Sequence, residues 1–123
     1  MASGKQIGEF SFKAITIGNS PGPAGSVLIH VNWEGTASGF GAVFVTTTYV
    51  GGAKSGTYGD SATAYLDNGD GLQSIGQGTY ESTGKHQWRT AGFMQISDGR
   101  RIASEGEIDL ASRSYKGKIF EIS

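Results

Sequence analysis

The stretch His30-Val31-Asn32-Trp33-Glu34 (HVNWE) alternates without a break between polar and apolar side chains. Alternation with period two is the signature of a β-strand, whose successive side chains point to opposite faces. One face then carries an imidazole, an amide and a carboxylate, and the other carries Val31 and Trp33. The pattern extends over residues 25–34, with Val27 and Ile29 in the apolar row and Leu28 in the polar one. Each large aliphatic side chain contributes roughly 1.5–3 kcal/mol when fully buried. The apolar row is therefore expected to face the core, with His30, Asn32 and Glu34 outside. Because Leu28 shares the polar face, a ligand-facing trio stays open as the alternative.

Period two continues on both sides of this segment, and no window carries apolar residues at i, i+3, i+4 and i+7 over three helical turns. Strands are expected at residues 7–17, 25–34, 38–50, 56–66, 72–81, 86–96, 101–110 and 113–122. In the first, Phe10 and Phe12 share a parity that Ile15 and Ile17 leave, which predicts a β-bulge near Lys13. The third is apolar on both faces around residues 42–45. In the fourth, Tyr58, Ala62, Ala64 and Leu66 fall on one side. In the sixth, one row reads His86, Trp88, Thr90, Gly92, Met94 and Ile96. The segment Asp67-Asn68-Gly69-Asp70-Gly71 is the strongest hairpin signal, since Asn-Gly readily takes the positive φ angles of a tight turn.

Eight consecutive strands on short, evenly spaced turns would leave two exposed edges unless the sheet closes on itself. The expected fold is an all-β, closed, eight-stranded antiparallel up-and-down barrel, a single domain over residues 1–123. A sandwich is the alternative, but it needs longer connections between sheets. The 21 glycines, against two prolines, support closure, because many lie inside strands where tight curvature or close approach requires them. Glu105, Glu107 and Asp109 against Lys116 and Lys118 read as cross-strand pairs on the outer face of the last two strands.

A chain of 123 residues without cysteine must rely on its core alone. The net charge of −1 provides no field for gathering nucleic acid or anionic membrane. No apolar leader and no membrane-length apolar run is present, so the expectation is a cytoplasmic protein.

Several short motifs suggest chemistry. Gly18-Asn19-Ser20-Pro21-Gly22 matches G-x-S-x-G, but the nucleophile elbow requires a helix after the serine and none can start here. The glycine-rich segments GFGAVF and GGAKSG lack the lysine-hydroxyl ending of phosphate loops. His30 and His86 stand far apart with no cysteine or histidine at ligand spacing, so no metal is expected. DNGDG lacks the length and terminal glutamate of a calcium loop. No cofactor is expected either. Acid–base chemistry in a closed barrel is the more serious enzyme reading, because desolvation moves the pKa of buried groups. His86, beside Trp88 at a strand beginning, is the leading candidate catalytic residue, with Tyr58 or Glu34 as helper. The expected lining of the barrel interior is Trp33, Phe44, Tyr58, Tyr80, Trp88, Met94 and Ile108.

With its eight meandering strands, internal glycines and repeated Gly56-Thr57-Tyr58 and Gly78-Thr79-Tyr80, the chain resembles the allene oxide cyclase and dirigent type of barrel, which includes small bacterial members. Lipocalin-like barrels share the pattern. The resemblance implies a small hydrophobic ligand in the cavity, cyclisation or isomerisation guided by shape and a few polar groups, and oligomers; it transfers no catalytic residue. Three functions follow: a small-molecule-binding barrel, a cofactor-independent isomerase or cyclase, or a filled barrel acting as an interaction module. Phe93, Phe120 and Ile122 fall on the outer face, where a second copy is the expected cover.

Overall fold

The computed structural model describes residues 4–122. Its strands are β1 (Gln6–Pro21), β2 (Val27–Ala37), β3 (Gly41–Gly51), β4 (Ser55–Tyr65), β5 (Gly71–Gly84), β6 (Gln87–Ile96), β7 (Arg101–Asp109) and β8 (Ser114–Glu121). They form one closed barrel in sequence order, every neighbour antiparallel, with β8 returning to β1. Beyond the strands, a short 3-10 turn at Pro23–Gly25 caps the β1–β2 hairpin. The expected architecture is the observed one. Among the described residues, no helix is long and apolar enough to cross a membrane.

Several boundaries depart from those expected, the ends of β1 and β5 among them. β1 continues to Pro21 and β5 to Gly84, so much of the expected 18–25 loop is strand. Beyond Lys13 the ladder of β1 runs only with β2. Pro21, which has no N–H to donate, is tolerated on that free edge. The hairpin therefore projects past the barrel, and Val27 and Ile29, expected in the inner row, are 54% and 40% exposed there. Val31 and Trp33, one turn of the pleat deeper, are buried.

The bulge falls between Ala14 and Thr16, next to its expected place. The extra residue Ile15 is exposed, and the parity change sends Phe10, Phe12 and Ala14 inward while Thr16 comes to face outward beside Asn32. The DNGDG turn differs in detail: among its residues only Gly69 takes positive φ, and Asn68 instead accepts the Asp70 N–H through its side chain at 2.9 Å. The acids of β7 stand opposite lysines as expected, Glu105 facing Lys118 and Glu107 facing Lys116. Close ion pairs among the described residues form elsewhere, between Arg89 and Glu81 at 2.6 Å and between Arg100 and Asp98 at 2.9 Å.

The interior is built by setting aromatic rings over glycines. The two Gly-Thr-Tyr repeats pair with each other antiparallel, so Gly56 faces Tyr80 and Tyr58 faces Gly78. A Cβ on Gly56 would meet the Tyr80 ring and one on Gly78 the Tyr58 ring, each at 2.6–2.8 Å. Gly106 and Gly117, opposite one another, lie under Phe10 in the same way. The glycines thus make room for side chains as well as for bending. Phe10, Phe12, Trp33 and Tyr115 form the aromatic centre, with ring centroids 4.9 Å apart for Phe10–Tyr115 and 5.2 Å for Trp33–Tyr115.

The barrel interior as candidate functional site

On β4 the inward row reads Tyr58, Asp60, Ala62, Ala64, so strand period alone carries a carboxylate into the barrel. Asp60 stands between Thr47 of β3 and Gly76 of β5 in the ladder. Burial among apolar neighbours pushes its carboxyl up from 3.8 to about 6. Among the described residues its Oδ1 has no hydrogen-bond partner, and the same holds for Thr47 Oγ1, Tyr49 OH and Trp33 Nε1, all buried. The Tyr49 hydroxyl lies near the Trp33 indole N–H and the Thr47 hydroxyl, yet none of the three reaches hydrogen-bond geometry. Thr47 is the most deeply buried of them, at 1% exposure.

Further round the wall, the hydroxyls of Thr90 and Tyr115 share a hydrogen bond of 2.7 Å, and Tyr58 approaches both and Ser104. Burial raises all three central tyrosines above their ordinary value, and Asp60 adds to the rise. They are neutral donors at physiological pH.

A cavity of about 80 Å³ adjoins Asp60 and extends toward the end of the barrel formed by the β2–β3, β4–β5 and β6–β7 turns. Phe10, Phe12, Phe40 and Tyr115 give it aromatic walls, and Ala62, Met94, Ile102 and Ile119 aliphatic ones. Phe40, in the β2–β3 turn, is held by the Arg100 guanidinium 4.9 Å from its ring centre. The opposite end is strapped: Tyr80 OH donates to Gly52 O at 2.8 Å and Trp88 Nε1 to Ala53 O at 2.7 Å, tying the β3–β4 loop across it.

Of the residues expected to line the interior, Trp33, Tyr58 and Tyr80 are buried there, and Trp88, Met94 and Ile108 pack against the same core. Met94 borders the cavity, whereas Tyr80 and Trp88 spend their polar atoms on the loop. Phe44 is corrected: it lies on the outer face, 44% exposed, between buried Val43 and Val45. A strand apolar on both faces gives periodicity nothing to choose by. His86 is corrected too. β6 begins at Gln87, and His86 occupies the exposed turn before it at φ 55°, off the inward row. Glu34 is exposed on the outer face, so the candidate catalytic trio of His86, Tyr58 and Glu34 does not converge.

The outward side of β2 is a hydrogen-bonded ladder. His30 Nε2 is 2.8 Å from Ser20 Oγ and His30 Nδ1 is 3.0 Å from Thr48 Oγ1. Asn32 Nδ2 donates to Thr16 at 2.7 Å, and Thr46 Oγ1 donates to Asn32 Oδ1 at 2.7 Å. Ser20 sits near the end of β1, not at a strand-to-helix elbow. No group of three or more His, Cys, Asp or Glu able to hold a metal occurs among the described residues.

Asp60, Thr47 and Tyr49 are not among the site residues expected from sequence. Strand period does mark Asp60, which shares the parity of Tyr58, Ala62 and Ala64. Compared with protein-family models, curated proteins and solved structures, the chain matches none.

Proposed function

We propose that the protein is a small-molecule-binding barrel whose ligand occupies the interior beside Asp60. The observation that carries this reading is the Asp60 carboxylate, which borders the cavity and whose buried Oδ1 has no hydrogen-bond partner among the described residues. Such a group costs about 1–3 kcal/mol when buried unsatisfied, and native proteins hold few of them. A ligand with hydrogen-bonding atoms would offset that cost. The cavity limits its size. At about 80 Å³ it is well below the roughly 300–1,000 Å³ of drug-sized pockets. A cavity of about 150 Å³ accepts benzene, so the ligand here is a compact molecule of a few heavy atoms, mainly apolar with one polar end.

A cofactor-independent isomerase or cyclase is the second reading, favoured by one observation: a carboxyl poised near 6 beside the Tyr58 hydroxyl. A group titrating near working pH is suited to proton transfer. Both readings accord with the proposed likeness to allene oxide cyclase and dirigent barrels.

The test is an NMR titration with fragments of three to six heavy atoms, comparing the wild type with Ala62→Leu, which fills the cavity. Binding should move the Trp33 indole and interior methyl resonances in the wild type only. If no fragment moves them, the binding reading falls and a filled interaction module takes its place.

A further inference from the structure

The chemistry around Asp60 narrows the ligand class, resting on the binding function proposed above. Among the described residues bordering the cavity there is a single ionisable acid and no lysine, arginine or histidine. Around Asp60 stand Thr47 and Tyr49 from β3, Tyr58 from β4, Gly76 from β5 and Met94 from β6, and Ser74, Ser104 and Tyr115 border the same cavity. None carries positive charge. Arg100 lies over Phe40, which borders the cavity, and is engaged by Asp98. A buried carboxylate with no countercharge is costly unless it is paired or neutralised.

The rest of the wall is suited to the missing countercharge. Phe10, Phe12, Phe40 and Tyr115 surround the cavity, and aromatic faces attract ammonium groups through their quadrupoles. A carboxylate without countercharge among walls that include aromatic rings favours an organic cation over a neutral or anionic isostere.

We propose that the interior recognises a compact primary or methylated ammonium ion, its charge paired with the Asp60 carboxylate and its hydrocarbon part packed on the rings of Phe10, Phe12, Phe40 and Tyr115. Binding then requires ionised Asp60, so affinity rises with pH through the titration of that group, and below its midpoint uptake of the cation expels a proton.

The experiment titrates the full chain with propylammonium, 1-propanol and propionate, reading the Trp33 indole and interior tyrosine resonances. Propylammonium should bind saturably at pH 7.5, at least about tenfold more tightly than propanol, with propionate weakest, and its affinity should fall about tenfold at pH 5, following the ionised fraction of a carboxyl near 6. Asp60→Asn should remain folded and lose the preference for the cation. The proposal is overturned if propanol matches propylammonium, if affinity does not change with pH, or if Asp60→Asn keeps the preference; interior binding would stand in each case. If none of the three probes moves the interior resonances, the binding reading fails together with the cation.

Discussion

β2 and β3 carry two polar clusters on opposite faces, and they are organised by opposite rules. Outside, Thr16, Asn32 and Thr46, and beside them Ser20, His30 and Thr48, satisfy one another across three strands. Inside, Thr47, one residue from Thr46, and Trp33, one residue from Asn32, have polar atoms that approach the Tyr49 hydroxyl but complete no hydrogen bond among the described residues. The outer cluster includes the residue types that catalysis favours, a serine hydrogen-bonded to a histidine, yet its geometry is that of a repeated cross-strand ladder. The inner cluster is chemically plainer but energetically exposed. The difference teaches that unsatisfied burial, more than residue type, marks the candidate site.

Adjacent residues on the two faces allow this contrast to be broken. Trp33→Ala should cost about 3–5 kcal/mol by urea denaturation, because it opens a cavity in the aromatic centre. Asn32→Ala should cost about 1 kcal/mol or less, since water replaces its bonds. Equal losses would refute the assignment of faces.

Asp60→Asn should act next most strongly, and its sign depends on pH. A carboxyl raised from 3.8 to about 6 favours the folded state fully below pH 3.8, and that contribution is lost as pH rises through 6. Wild-type stability should therefore drop by about 2.4 kcal/mol from this group between pH 4 and pH 8. The variant should be the more stable protein at pH 8, by a similar margin, and the two should converge toward pH 4. Denaturation at several pH values checks this, and a wild type whose stability does not depend on Asp60 would place the carboxylate in water.

A smaller pair sharpens the comparison. Thr47→Val removes a hydroxyl with no protein partner and should stabilise by about 1 kcal/mol, whereas Thr46→Val breaks a bond to Asn32 and should destabilise by a similar amount. Thermal unfolding of the two variants reads opposite signs if the inner and outer clusters differ as described. Smallest of all, His86→Gln in the exposed turn should change stability by no more than about 0.5 kcal/mol and leave any interior binding intact, measured by the same titration as for the wild type.

Much of the fold was legible beforehand because strand period, turn residues and strand count are local properties. The HVNWE alternation gave the right faces at Val31 and Trp33, and the parity break after Phe12 foretold the bulge. The failures came where local pattern is degenerate. Phe44 sits in a strand apolar on both sides, so no alternation could orient it. His86 lies where a strand begins, and a shift of one residue in that boundary took it from the inner row to a turn. Val27 and Ile29 keep the inner parity but belong to a hairpin that outruns the barrel, a matter of how far β8 accompanies β1.

What the chain determined unaided is a meander of alternating strands whose inward rows include Tyr58, Asp60, Trp33 and Tyr115, because side-chain direction in a strand follows from position in the sequence. Only closure of the barrel decided that these rows meet. Burial, the raised carboxyl of Asp60 and the lack of partners for Thr47 and Tyr49 depend on groups from strands distant in sequence, which exclude water together. Desolvation is a property of the assembled ring, and no single strand carries it.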